Sequence, residues 1–308
     1  MTSIIENTYN KLLELYKAYN PHEWLWLVSY SGGKDSTALL LLTLKLAHEK
    51  AFKVSIVYND CGGDLPAIRA LVFDVLDFIK QHSSLKSVVK EVFITRPERS
   101  FFDYLLTKYS PPRWNFRWCC KRLKEYPFKR LVRELVKNYR VLNLVGNRAE
   151  EARWRKWFIK RVGENLVYVA PLSDLKQEEV WLLLRETSRE LHVEWVYQKL
   201  WKIYKEGTIK RSGCWFCTLM GLDGLLLLDP DLMLLKYEIL ESWCSGRREN
   251  ILELSKKYPE LVKVSVRRVL REYPCGKNCK NCQVRLVREA IKTLHLYKTP
   301  RNIEGLVD

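Results

Sequence analysis

The chain has 308 residues, with 53 Lys and Arg against 36 Asp and Glu and a formal net charge of +17 at pH 7. That length houses one α/β domain with an appendage, or two domains. No uninterrupted apolar run is long enough to span a bilayer, and residues 1–6 lack the basic and apolar regions of a signal peptide, so the expectation is a soluble, cytoplasmic protein with no membrane partner. An excess of positive charge this large points to a polyanionic partner.

In chain order, apolar residues at helical spacing (Ile5, Tyr9, Leu12, Leu13, Tyr16) predict a helix over 4–19, closed by Asn20-Pro21. Trp24 to Tyr30 reads as a buried strand, and a helix follows from about Asp35. Val54 to Tyr58 is a second strand, and Leu65 to Ile79 a helix with Pro66 in its first turn. Val88 to Ile94, Val141 to Gly146 and Val167 to Val169 complete a βα alternation that predicts a parallel sheet covered on both faces. Beyond about residue 200 the pattern turns helical, basic and cysteine-containing. The division expected is an α/β domain over 1–200 and a helical region over 201–308. Ligands of such sheets sit beyond the carboxyl ends of the strands, which directs attention to the turns after the first, second and fourth.

The first of those turns is Ser31-Gly32-Gly33-Lys34-Asp35-Ser36-Thr37. Two glycines allow a sharp bend that exposes backbone N–H groups, and the helix N-terminus adds unpaired donors and a positive dipole end. With the Lys34 ammonium and three hydroxyls, the turn suits a phosphate. It is not the G-x-x-x-x-G-K-[ST] loop. Asp35 suits a metal contact or the helix N-terminus itself. Asp60, ending the second strand, suits Mg²⁺ or a ribose, and equally a turn cap. After the fourth strand, Gly146 is followed by Arg148, Arg153 and Arg155, whose guanidinium forks suit a second anion.

Nine cysteines in a cytosolic chain point to metal or redox chemistry rather than a disulfide framework. Cys119-Cys120 and Cys214-x-x-Cys217 make two close pairs able to hold zinc or an iron–sulfur cluster, and spacing does not choose between them. Cys275, Cys279 and Cys282 form a third group, which suits a second metal site, a redox trio or a purely structural role.

Taken in order, these segments resemble the phosphoadenosine phosphosulfate (PAPS) reductase-like branch of the PP-loop superfamily, the N-type ATP pyrophosphatases with a Rossmann-like, HUP-type fold. Ser31 to Ser36 is similar to the S-G-G-K-D-S loop. Cys119 to Pro127 is similar to C-C-x-x-x-K-x-x-P, with Lys124 as the lysine, and Gly146 to Arg155 to G-x-R-x-x-E-S-x-x-R with Ala152 for the serine. Asn59 to Gly62 is similar to the D-T-G turn with Cys61 for threonine, and Ala170 to Trp181 to the P-L-x-x-W segment with Leu175 for its first tryptophan.

The resemblance implies ATP and Mg²⁺ at the loop, with Ser31, Gly32, Gly33, Lys34, Asp35, Ser36, Thr37 and Gly146 holding the nucleotide and Lys34, Asp35 and Asp60 catalytic. It implies a substrate anion at Lys124, Arg148, Arg153 and Arg155. It also implies a 4Fe–4S cluster, with zinc as the alternative, on Cys119, Cys120, Cys214 and Cys217. The branch's reductases lack the loop lysine and end in E-C-G-[LI]-H; this chain keeps Lys34 and has no such ending. It thereby resembles the ATP-using members, and Ser212 to Thr218 is similar to the G-C-W-x-C-T of the DNA phosphorothioation (Dnd) ATP pyrophosphatase. The expected activity is ATP-dependent adenylation with sulfur transfer to tRNA, DNA or an anionic metabolite, served by a cysteine desulfurase or other sulfur donor. The alternatives are a sulfonucleotide reductase using a C-terminal cysteine, and a metal-stapled nucleic-acid-binding protein.

Overall fold

The computed structural model describes residues 2–257, apart from 114, 152–157, 207–208, 210–211, 219, 221–224 and 226–227. The chain forms two compact units. One comprises Met1–Glu98 and Cys120–Ser212, and the other Arg99–Cys119 with the described residues from Gly213 onward.

The first unit is built on a six-stranded sheet in the order β3-β2-β1-β4-β6-β5. The strands are β1 (Trp24–Tyr30), β2 (Val54–Asn59), β3 (Val89–Thr95), β4 (Arg140–Leu144), β5 (Ile159–Arg161) and β6 (Leu166–Val169). All neighbours are parallel except β5, which runs antiparallel to β6. β1 reads W-L-W-L-V-S-Y because it lies mid-sheet and is covered on both faces, which removes the alternation of a half-exposed strand. Leu25 and Leu27 from β1 pack with Val57, Val141 and Leu135 in one apolar cluster.

Helices α1 (Thr2–Ala18), α2 (Lys34–Glu49), α3 (Pro66–Gln81) and α4 (Ser83–Ser87) occupy the first half of the unit. α2 is buried almost all round from Ala38 to Leu44, as its leucine run requires. α3 buries Ile68, Leu71, Val72, Val75, Leu76 and Ile79 at the i, i+3, i+4 spacing of one helix face, and Pro66 takes its first turn, where no N–H is needed. Cys120–Glu125 is π-helical and runs into a helix over Tyr126–Asn138. Pro127 sits at that junction, and its missing N–H removes an i→i−4 bond that would tighten the turn. Helices Gln177–Glu190 and Glu194–Ile203 complete the unit.

Order between β1 and β4 decides where a ligand can sit. From β1 the chain steps outward to β2 and β3, then returns to the other side of β1 as β4. The carboxyl ends of β1 and β4 therefore flank the switch point of the sheet, the natural crevice of an open α/β fold.

In the second unit, helix Phe101–Thr107 opens with a reciprocal cap, in which Asp103 N–H donates to Ser100 Oγ at 3.1 Å and Ser100 N–H to Asp103 Oδ2 at 3.0 Å. Phe101 stacks on Phe216 at 4.2 Å between centroids and on Trp118 at 5.6 Å, and meets Trp215 edge-on at 5.3 Å. Helices Pro230–Cys244 and Arg248–Lys257 follow, the first capped by Asp229. Among the described residues no helix is long and apolar enough to cross a membrane.

Candidate functional site

The Ser31–Thr37 turn connects β1 to α2 at the switch point. Gly32 has φ +74°, and a Cβ there would lie 2.4 Å from Val72 Cγ2 and 3.0 Å from Ile68 Cγ2. Only glycine fits, because the turn lies flat on α3. Gly33 caps α2 in extended conformation without a side-chain bond, so the first N–H groups of the helix receive no cap from it. Its carbonyl accepts from Thr37 N–H at 2.9 Å, Ser36 Oγ at 3.0 Å and Thr37 Oγ1 at 2.9 Å. Ser31 N–H donates to Ser36 Oγ at 3.1 Å. The Gly33 carbonyl is thus taken up within the turn and is not presented to an arriving anion.

Gly146, after β4, closes the other side. A Cβ on it would fall 2.9 Å from Ser36 N and 3.0 Å from Asp35 C, so the β4 turn lies directly on the first turn of α2. The two motifs, over a hundred residues apart, form one structure.

Lys34 is 2% exposed, and its ammonium bonds Asp35 Oδ2 at 2.9 Å. Asp35 Oδ1 accepts from Arg148 Nε, and Arg148 Nη1 also donates to Glu150 and, at 3.2 Å, to the Leu175 carbonyl. Arg148 is 3% exposed. Burial opposes its charge, yet Asp35 and Glu150 prevail and hold the guanidinium above its usual value. Arg148 is therefore placed as the anchor of Asp35, which in turn orients Lys34. Tyr204 is the neighbour that the sequence did not reveal. The Lys34 ammonium lies 5.5 Å from its ring centre, its hydroxyl accepts the Lys34 N–H at 3.4 Å, and that hydroxyl pairs with Ser212 Oγ at 2.5 Å. Burial raises the Tyr204 phenol above its usual value.

Asp60 sits at the carboxyl end of β2 and is buried. Arg69 grips it with Nε on Oδ1 and Nη2 on Oδ2, both at 3.1 Å, and Arg96 Nε donates to Oδ2 at 3.0 Å. Burial alone would raise the Asp60 carboxyl, but the two guanidiniums reverse this and leave it below its ordinary value. Lys124 lies 3.7 Å from Asp64, and its carbonyl accepts from Asn59 Nδ2 at 2.7 Å. Arg69 and Arg96 were invisible as site residues in the sequence; a basic residue directly after β3, at the ligand edge of a parallel sheet, was the available signal. Arg153, Arg155, Cys275, Cys279 and Cys282 lie outside the described residues.

Cys119, Cys214 and Cys217 belong to the second unit, and Cys120 opens the π-helical segment of the first. Within the second unit, Lys236 is 5% exposed and donates to the Cys217 carbonyl at 3.0 Å. Burial pulls its ammonium down to about 8, while the Cys217 and Cys119 thiols act in the opposite sense. Among the described residues no carboxylate pairs with it. A buried cation with cysteine sulfurs as its electrostatic partners fits an anionic thiolate centre there, as an iron–sulfur cluster or a thiolate-rich zinc site would be.

The sequence profile of the phosphoadenosine phosphosulfate reductase domain matches residues 26–220. The chain belongs to this family. An uncharacterized protein of Methanocaldococcus jannaschii is 29% identical over 224 residues, covering 70% of this chain. The match spans only 38% of that relative's length. Among solved structures, a PAPS reductase from Candida auris in complex with phosphate superposes with a TM-score of 0.45 at 17% identity, covering 70% of this chain and 96% of its own. A Candida glabrata FMN adenylyltransferase with FMN and an ATP analogue superposes at 0.41 and 17% identity, covering 59% and 56%.

Proposed function

We propose that this chain adenylates an acceptor with ATP, releasing pyrophosphate, and that the adenylate serves sulfur transfer to a nucleic acid or an anionic metabolite. The observation that carries the reading is the intact cradle: an α2 N-terminus to which Gly33 adds no side-chain cap, a buried Lys34 held by Asp35, and Gly146 laid against the same turn. An acceptor oxygen attacks the α-phosphorus, the bond to the bridging oxygen breaks, and pyrophosphate departs with the electron pair. The acceptor's proton passes to solvent. Lys34 and the α2 N–H groups stabilise the charge that develops on the leaving group, and Mg²⁺ on the triphosphate would add to this. A sulfur nucleophile, supplied by a cysteine desulfurase or another donor, then displaces AMP from the acceptor carbon. Lys124, Arg153 and Arg155 contribute to holding the acceptor's anionic group.

Cys119, Cys120, Cys214 and Cys217 would hold a 4Fe–4S cluster, or zinc, and a cluster would supply electron or sulfur handling. Anaerobic purification is expected to give a brown protein with about four irons per chain. Lys236→Met is expected to lower that iron content, because it removes the buried positive charge. A colourless chain with zinc would refute the cluster.

Family membership favours a second reading, reduction of a sulfonucleotide. Anaerobic incubation with ATP and candidate acceptors separates the two. Pyrophosphate release supports adenylation, whereas sulfite release from a sulfonucleotide without pyrophosphate supports reduction.

A further inference from the structure

Asp60 holds more positive charge than it needs. Arg69 alone gives the carboxylate a complete two-point grip, on Oδ1 and Oδ2 at 3.1 Å each. Arg96 brings a second guanidinium to Oδ2 through Nε at 3.0 Å, leaving the trio with a net charge of one positive unit. The terminal nitrogens of Arg96 have no acceptor among the described residues. Both side chains are open to solvent, Arg69 at 45% and Arg96 at 60%, while the carboxylate beneath them is 6% exposed. Two like charges converging on one carboxylate repel each other, and an added anion relieves that repulsion.

The pair is also fixed in place. Arg69 rests on the Phe73 ring, 4.9 Å from its centre, which sets the guanidinium plane. Arg96 precedes Pro97, and a residue before proline is confined to extended backbone. Asp60 N–H donates to the Thr95 carbonyl at 2.9 Å, joining the ends of β2 and β3 under the two side chains. Adjacent strands are about 4.8 Å apart, so this fork stands two strand positions at most from the β1 loop, on the same carboxyl edge of the sheet.

We infer that Arg69 and Arg96, mounted on Asp60, form a second oxyanion subsite that takes a tetrahedral phosphate or sulfate group of the acceptor, separate from the nucleotide phosphates at Lys34. Guanidinium forks match such groups through paired N–H donors. The inference rests on the proposed adenylation only in naming the acceptor as its source; the subsite itself is tested without turnover.

The test is calorimetric titration with inorganic phosphate, inorganic sulfate and a short single-stranded oligonucleotide, in two backgrounds. One is the full chain saturated with a non-hydrolysable ATP analogue, and the other is Lys34→Met, whose cradle is disabled. Binding is expected in both, weakened about tenfold or more by Arg96→Ala and partly restored by Arg96→Lys. The affinity of Arg96→Ala for the ATP analogue is expected to stay within about twofold of the wild type. Preference for the oligonucleotide would identify a phosphodiester acceptor, and preference for a free ion a small one. Unchanged anion binding in both Arg96→Ala and Arg69→Gln, each folded by thermal melting, overturns the inference. So does an equal loss of ATP-analogue affinity, which would assign the arginines to the nucleotide. If the wild type releases no pyrophosphate while the Lys34→Met background still binds phosphate through Arg96, adenylation fails and the subsite stands.

Discussion

Two aspartates stand at the carboxyl edge of one sheet, and each is held by two cations. Around Asp35 the cations are buried, with Lys34 at 2% and Arg148 at 3% exposure. Around Asp60 they are open, at 45% and 60%. In the first cluster every charge has its partner within the protein, so the cluster fixes geometry and Lys34 arrives at the cradle already oriented. In the second, the carboxylate is satisfied and the guanidiniums keep donors to offer. Burial thus separates a clamp from a receptor built of the same residue types.

The largest effect should come from breaking the clamp. Arg148→Ala takes the guanidinium from Asp35, which keeps Lys34, and from the half-exposed Glu150, and losing that buried partner costs about 3 kcal/mol; urea denaturation measures it. Next is Lys34→Met, which preserves packing but removes the ammonium. Pyrophosphate release should fall about 10²–10³-fold. An unaltered rate would mean that Lys34 is structural only. Gly146→Ala should cost about 1–3 kcal/mol through the contact with Ser36 N, and weaken ATP in the same titration.

Asp60→Asn should have the smallest effect, about 1 kcal/mol or less at pH 7, because its arginines face solvent. Its pH dependence has a definite sign. The folded carboxyl lies below its unfolded value of about 3.9, so its contribution is complete above that pH and lost as pH falls through the folded value. Melting curves of the wild type should fall more steeply than those of Asp60→Asn at the acid end. Parallel curves would show that the two arginines add nothing to the fold.

Much of the architecture was legible in the sequence because it is local. The Trp24–Tyr30 strand was bounded correctly by its apolar run, and Pro66 marked the start of α3. The parallel sheet followed from the βα alternation, and the Lys34 loop from glycines and hydroxyls in one short stretch. β5 was missed because Ile159–Arg161 is an exposed edge strand of three residues, too short for a period. The clamps were missed for another reason. Arg148 meets Asp35 across 113 positions and Arg96 meets Asp60 across 36, and no periodicity carries such pairings. The sequence presents Arg148 as a guanidinium fork for an anion, and the fold buries it against Asp35. Grouping of Arg99–Cys119 with the chain beyond Gly213 also had no local signature, since aromatic stacking such as Phe101 on Phe216 links segments far apart in sequence.

The carbonyl of Gly33 bears on the cost of binding. Three donors hold it, so the Gly33 peptide need not flip when an anion arrives. That part of the reorganisation is completed when the chain folds, which lowers what the binding of an anion has to supply.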